Sequence, residues 1–211
     1  MLSSSIEDYA KAIYVLEERH GVASTNSLAE RLGVSAPAVS AMVKKLASLG
    51  YVTHVRYRGV RLTDEGRRVA LEVLRHHRLL ETYLVEELGV PWDRVHAEAE
   101  VLEHVLSEGL EERIAAKLGE PTHDPHGDPI PAADGTVTEP ATVALAALDL
   151  GDRGRFVRVS DRSPRLLREL AGLGIRPGDE VEVVADGVRS GSAVHRLRPA
   201  LARSMRIEVE R

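Results

Sequence analysis

The stretch Arg75–His104, RHHRLLETYLVEELGVPWDRVHAEAEVLEH, constrains this chain more than any other. Its apolar residues recur at helical spacing on both sides of Gly89-Val90-Pro91, which predicts two helices joined at that turn. Leu79, Leu80, Tyr83, Leu84 and Leu88 supply the packing of the first, and Val95, Ala99, Leu102 and Leu106 that of the second. On the first helix His77 and Glu81 stand four residues apart and share a face. On the second, His96, Glu100, Glu103 and His104 sit at offsets of four, seven and eight, again one face. Imidazoles and carboxylates projecting from facing helices build divalent-metal sites, because such ligands must converge from rigid supports. The plainer alternative is a solvated acidic face with incidental histidines. One His–Glu pair would favour that alternative; two pairs on consecutive helices favour a metal.

The rest of the composition sharpens this. A length of 211 residues holds one large or two to three small domains. Zero cysteines exclude disulfides, thiolate zinc sites and iron–sulfur clusters, and fit a reducing cytoplasm. No apolar run reaches membrane-spanning length and the N-terminus MLSSSIEDYAKAIY is amphipathic, so a cytoplasmic protein without membrane association is expected. The net charge of -5 argues against nucleic-acid binding until it is divided along the chain. Residues 1–75 carry 11 Lys/Arg against 8 Asp/Glu, residues 76–138 carry 4 against 14, and residues 139–211 carry 13 against 11. Six of the nine histidines fall in the acidic middle third, so acid and imidazole are segregated from slightly basic flanks.

The first third reads as a DNA-reading head. Ile6, Tyr9, Ile13, Tyr14 and Leu16 form a helical stripe that Gly21 stops. Ser24-Thr25-Asn26-Ser27 offers N-cap chemistry for a short helix over Leu28, Ala29 and Leu32, ended by Gly33. Ser35 caps a third helix, with Pro37 near its first turn, running through Val39, Met42, Val43 and Leu46. Tyr51–Val55 and Val60–Leu62 then read as two strands joined at Tyr57-Arg58-Gly59. Helix, short helix, capped helix and basic hairpin in that order predict a winged helix-turn-helix rather than a small helical domain with ordinary surface lysines. Ser35, Pro37 and Ser40 stand at the start of the reading helix, where small residues can approach base edges. Lys44 and Lys45 on that helix, and Arg56, Arg58 and Arg61 on the wing, are placed for phosphates. A further helix starts at Thr63 and runs without a break into His77 and Glu81, giving the metal region a mechanical route to the wing.

After the middle helices the Pro/Gly-rich loop from Glu120 to Pro131 ends the helical region. From Ala141 the texture changes to short alternations: Phe156–Val159, Glu180–Val184, Ala193–Leu197 and Met205–Val209, separated by turns such as Arg176-Pro177-Gly178-Asp179 and Asp186-Gly187. One helical insert, Pro164–Leu173, interrupts them. The pattern predicts a small antiparallel β-barrel. No nucleophile, base or phosphate loop stands out in it.

IEDYAKAIYVLEE, RLGVSAPAVSAMVKKLASLGYV, HHRLLETYL and VHAEAEVLEHVLSE together resemble the diphtheria-toxin-repressor family of metal-dependent transcriptional regulators, especially its manganese-sensing branch. The resemblance covers essentially the whole chain and implies an α+β protein in three segments. These are a winged helix-turn-helix DNA-binding domain at 1–75, a helical metal-binding and dimerisation domain at 76–138, and an SH3-like β-barrel at 139–211. It implies a homodimer formed by the middle helices, a metal-activated repressor and a palindromic DNA operator. Its primary metal site maps onto Asp8, His77, Glu100, Glu103 and His104. Some manganese-type members hold a secondary metal with a carboxylate or thiol two residues before a histidine. Asp124 and His126 match that spacing, with Glu81 and Asp161 to complete the set. His96 competes, since iron-type members use a histidine there. Iron-type members also place Met near position 8 and Cys near position 100, where this chain has carboxylates. Oxygen and imidazole suit Mn(II), with Fe(II), Co(II) or Zn(II) as alternatives, whereas softer ligands favour later metals. The chain departs from two-metal manganese regulators at Lys11, where they carry Glu. A protonated ammonium cannot ligate and repels a second cation, so a single primary ion is expected.

The function expected is therefore a Mn(II)-loaded repressor of manganese-homeostasis genes, not an enzyme; an iron-dependent repressor of the same family is the alternative. A metallohydrolase lacks its HExxH motif here, and so many protein ligands leave little room for substrate. A metal-independent winged-helix regulator would need an apolar pocket where this chain crowds acids.

Overall fold

The first helices form because apolar stripes are bounded by strong caps. The computed structural model, which describes residues 2–161 and 163–209, places α1 over Ser4–His20 and ends it at Gly21 with φ 72°. α2 (Thr25–Leu32) begins at Ser24, whose Oγ accepts the Ser27 N–H at 3.1 Å, and stops at left-handed Gly33. α3 (Ala36–Ser48) begins at Ser35, whose Oγ accepts the Ala38 N–H at 3.4 Å, with Pro37 in the first turn. These hydroxyls satisfy N–H groups that a helix start leaves without partners. β1 (Val52–Val55) and β2 (Gly59–Leu62) pair antiparallel, Val52 opposite Leu62. Ala23 bridges to Val60 by N–H···O bonds of 3.0 and 2.9 Å. Gly59 permits this approach: its φ is 134°, and a Cβ would lie 2.1 Å from the Ala23 carbonyl oxygen. Ile13, Leu28, Val39, Leu46, Val52 and Val60 close the core beneath this winged helix.

Thr63 joins the wing to α4 (Asp64–Glu86), accepting the Gly66 N–H at 3.1 Å and donating to the Gly50 carbonyl at 2.6 Å. The chain divides into two compact units. The first is Met1–His77 with Glu103–Leu106 and Pro131–Thr136; the second is Arg78–Leu102, Ser107–Ile130 and Val137–Arg211. The division falls inside α4, between His77 and Arg78.

In the second unit, α5 (Val95–Leu102) and α6 (Glu108–Lys117) precede the loop 120–131. The strands are β3 (Val143–Ala144), β4 (Arg153–Val159), β5 (Glu180–Val184), β6 (Gly187–Ser190), β7 (Ala193–His195) and β8 (Met205–Val209). They form one antiparallel sheet in the order β3-β8-β4-β5-β6-β7. α7 (Pro164–Leu173) buries Leu167 and Leu170 against Phe156, Val181 and Ile207, in a core that also takes in Trp92. α8 (Pro199–Ser204) leads into β8. The loop 120–131 lies close on β4. Gly127 has φ 84°, and a Cβ there would sit 1.8 Å from the Val157 carbonyl oxygen; the His126 carbonyl accepts the Val159 N–H at 2.9 Å. At that point the β4–β8 register shifts between Phe156 and Arg158, the local distortion a bulge provides.

This is the α+β architecture the sequence predicts, a winged helix, a helical segment and an SH3-like antiparallel sheet. The structure adds β3 and β6 to the sheet and α8 before its last strand, and β7 ends at His195 rather than Leu197. No helix among the described residues is long and apolar enough to cross a membrane.

Candidate metal centre

Among the described residues, imidazoles and carboxylates gather within each of the two units. In the first unit, Asp8 of α1 meets Glu103 and His104, which follow α5 directly; one ligand atom from each lies within 4.8 Å of the others. His104 Nε2 is 3.0 Å from Asp8 Oδ1 and 3.4 Å from Glu103 Oε1. Its other nitrogen, Nδ1, donates to Glu7 Oε2 at 2.6 Å. A carboxylate on the far nitrogen fixes the ring's orientation, which is how metal-binding imidazoles are commonly braced. Glu103 is fully enclosed, with one oxygen 2.5 Å from His77 Nδ1 and the other accepting from Lys11 Nζ at 2.5 Å. His76, the neighbour of His77, donates from Nδ1 to the Glu103 carbonyl at 3.3 Å. Four of the five residues expected at the primary site, Asp8, His77, Glu103 and His104, thus belong to this unit. Glu100 belongs to the second unit, exposed on α5 with Oε1 3.7 Å from His96 Nε2.

In the second unit the residues expected as secondary ligands come together around Glu81. His96 Nδ1 is 3.1 Å from Glu81 Oε1 and 3.1 Å from Asp161 Oδ2. The other Glu81 oxygen, Oε2, is 3.7 Å from His126 Nδ1, and Asp124 completes that side. One carboxylate therefore serves both alternatives, with Oε1 to His96 and Asp161, and Oε2 to His126. Burial alone would push His96 down, but its hydrogen bonds to Asp161 and Glu81 and their charges outweigh it and bring it to about 10. Burial likewise opposes charge on His126, and Glu81 still carries it to about 9. Asp161, which burial would raise, is held by His96 at about 2. Asp124 is different: burial, then the charges of Asp128 and Glu81, push its carboxyl well up. Its Oδ1 already accepts the His126 and Asp128 N–H groups at 2.8 and 2.9 Å, so it shapes the loop as well as facing the cluster.

Both clusters fit a divalent ion of hard or borderline character. Their donors are oxygen and imidazole nitrogen alone. The second also holds a buried imidazole nitrogen, His126 Nδ1, without a hydrogen-bond partner, which is the kind of atom a cation satisfies. Residues that sequence reasoning did not single out are Glu7, His76 and Trp92. For Glu7 a signal existed, since it adjoins Asp8 on the same helix; for Trp92, described below, none did.

The expected DNA-facing residues lie on the surface of the first unit. Ser35, Pro37, Ser40, Lys44 and Lys45 are exposed on α3, and Arg56 and Arg58 on the wing. Ser40 Oγ is turned to the Ala36 carbonyl at 3.0 Å. Arg61 differs: its Nε donates to the Gly21 carbonyl at 2.7 Å, bracing the wing on the end of α1. Arg56 lies over the exposed Tyr57 ring at 4.7 Å.

Residues 1–60 match the iron dependent repressor N-terminal DNA binding domain, and residues 63–132 the iron dependent repressor metal binding and dimerisation domain. Residues 143–210 match the FeoA domain. The chain is 34% identical over 223 residues to the diphtheria toxin repressor of Corynebacterium efficiens, covering 98% of this chain and 96% of that one. It is 42% identical over 130 residues to the iron-dependent repressor IdeR of Mycobacterium tuberculosis, a match spanning 62% of this chain but 56% of that relative. Among solved structures, a manganese-dependent transcriptional repressor in complex with manganese has a TM-score of 0.88 at 45% identity, over 97% of this chain and 100% of that one. The manganese regulator SloR gives 0.77 at 33% identity, over 97% and 98%. With matching domains along its length and a near-full-length relative above 30% identity, the chain belongs to the iron-dependent, or diphtheria-toxin-repressor, family of metal-dependent transcriptional repressors, which are not enzymes.

Proposed function

We propose that this chain is a cytoplasmic repressor that binds palindromic operator DNA as a homodimer when loaded with Mn(II), and so controls manganese-homeostasis genes. The observation that carries the reading is the Asp8–Glu103–His104 cluster, in which a helix of the winged-helix unit contributes a ligand atom beside two others. His77 and Glu100 would complete the primary set. The Glu81 cluster, with His96, Asp124, His126 and Asp161, would hold a secondary ion. A bound divalent ion would supply positive charge that lets these carboxylates share one point. The remaining work falls to the chain. Glu7 orients His104, Lys11 and His77 orient Glu103, and α1 carries the position of Asp8 into the core under α3. Ser35, Pro37 and Ser40 would face bases, while Lys44, Lys45, Arg56 and Arg58 would face phosphates.

Carboxylates at positions 8 and 100 support Mn(II) over Fe(II), because hard donors at both leave no thioether or thiolate in the set. The alternative, an iron-dependent repressor, is favoured by the name of the IdeR relatives. The domains at 1–75, 76–138 and 139–211 are retained as functional segments of this reading. The test is DNA binding by chelated protein, with fragments selected from a random pool, as Mn(II), anaerobic Fe(II), Co(II) or Zn(II) is restored. Mn(II) should restore tight binding to a two-fold symmetric sequence at the lowest free concentration relative to its cellular supply. Equal binding with and without metal would remove the reading, and activation by Fe(II) alone would replace it with the iron-dependent one.

A further inference from the structure

His126 is the most enclosed member of the second cluster, with no exposed surface. Every other part of it is fastened. Its N–H donates to Asp124 Oδ1 at 2.8 Å, and its carbonyl accepts the Val159 N–H at 2.9 Å. The imidazole Nε2 lies 2.8 Å from the Trp92 carbonyl oxygen. The indole of Trp92 stacks on the imidazole, with ring centroids 5.7 Å apart and planes 16° from parallel. Arg176 in turn sets its guanidinium over the indole, 4.8 Å from the ring centroid. A carbonyl oxygen only accepts, so Nε2 must carry a proton and is spent as a ligand. Only Nδ1 remains, buried and without a hydrogen-bond partner, 3.7 Å from Glu81 Oε2. That spacing is too long for a hydrogen bond. It suits two donor atoms on one ion at the bond lengths nitrogen and oxygen ligands adopt, about 2.0–2.2 Å.

We propose that Trp92 is the positioning residue of this cluster, its carbonyl and indole fixing His126 so that Nδ1, and not Nε2, is offered to a divalent cation shared with Glu81. The inference rests on reading the Glu81 cluster as a metal site. It gives the chain's single tryptophan a task beyond filling the core, and it explains why Arg176, next to the turn before β5, packs on that ring.

Calorimetric titration of the metal-free full chain with Mn(II) should show two binding steps, the second lost in His126→Ala. Trp92→Leu, which keeps the carbonyl and removes the stacked ring, should weaken that second step about tenfold or more and leave the first intact, the effect expected of a group that orients a ligand. Trp92→Phe should restore it. A folded Trp92→Leu protein with an unaltered second step would overturn the positioning role while leaving the site in place. Wild-type protein that takes up a single equivalent, or His126→Ala with an unaltered titration, would overturn the site itself. Should Trp92→Leu not fold, nitrogen spectra of 15N-histidine wild type loaded with Zn(II) decide the matter, the His126 signals being those lost in His126→Gln. A protonated, slowly exchanging Nε2 beside a metal-shifted Nδ1 supports the proposal, and ligation through Nε2 overturns it.

Discussion

Lys11 and Glu103 are a buried ion pair in the place where a cation is also expected to bind. Lys11 is 8% exposed and Glu103 1%, and their charged atoms are 2.5 Å apart. Such a pair adds little net stability compared with apolar packing, but removing one partner leaves a buried charge uncompensated, at a cost of about 3–5 kcal/mol. Lys11→Met should therefore lower the unfolding free energy of the metal-free protein by about 3 kcal/mol, the lower end, because His77 still faces the other Glu103 oxygen. A divalent ion at the first cluster would supply the charge that Lys11 no longer does. Saturating Mn(II) should then stabilise Lys11→Met more than it stabilises wild type. Urea denaturation of both proteins, with Mn(II) and with chelator, measures the four values, and an equal metal-induced gain in the two would count against Lys11 as the charge that balances Glu103.

The elements show which parts of the molecule sequence could reveal. α1 to α3 and the wing were legible because Ser24, Ser35, Thr63 and the left-handed glycines mark each boundary chemically. β6 was not: Gly187–Ser190 holds a single large apolar residue, Val188, too little for an alternation, and is a strand only because β5 and β7 flank it. The His77–Glu81 and His96–Glu100 pairs were legible on their helices from spacing, but α5 ends at Leu102, so Glu103 and His104 stand beyond it and do not continue its face as the spacing predicts. Their joining to Asp8 was not legible, since the rest of the winged helix and all of α4 and α5 lie between Asp8 and Glu103; it came with the family resemblance alone. Nor did spacing reveal that His96 and His126 share Glu81, because a carboxylate's two oxygens have no separate signature in sequence. Glu17 of α1 is a further element-level contact. Its carboxylate accepts the Leu62 N–H at 2.6 Å and faces Arg67 at 3.4 Å, tying α1 to the end of the wing and to α4. Burial raises its pKa more than Leu62 and Arg67 lower it. A raised carboxyl binds its proton more tightly in the folded state, so its contribution is full below the unfolded value and is lost as pH rises through the folded one. Glu17→Gln keeps the acceptor for Leu62 and cannot ionise. Its stability relative to wild type should therefore increase as pH rises from about 4.5 toward neutrality. Urea denaturation of the two metal-free proteins across that range measures the difference, and a constant offset would show that Glu17 does not titrate with folding.

At the scale of the whole molecule, assembly and metal must be joined to DNA binding. Val101 and Leu110 are 72% and 50% exposed on α5 and α6, apolar surface that a second copy would cover in the proposed homodimer. Light scattering at micromolar concentration should give a dimer with or without Mn(II), and a monomer would remove the two-headed reading of a palindrome. On the proposed reading, metal would then act on the heads rather than on assembly. Asp8 would be the ligand that makes this possible, because it belongs to α1, whose Ile13 and Leu16 pack in the same core as Val39, Val43 and Leu46 of the proposed reading helix. Glu103 and His104 would hold the ion from the other side, with Glu7, Lys11 and His77 fixing them. Asp8→Ala should therefore retain part of the Mn(II) affinity through the remaining ligands, yet lose most of the metal-dependent gain in operator affinity. Linkage limits that gain to the ion's preference for the DNA-competent state, typically about 1–3 kcal/mol per coupled site. His104→Ala should instead weaken metal binding itself, and DNA binding only as a consequence, so that enough Mn(II) recovers it. Calorimetry with Mn(II), followed by operator titration at saturating metal for each variant, separates the two roles. Operator affinity of Asp8→Ala equal to wild type at saturating Mn(II) would mean that the ion reaches the reading helix by some route other than α1.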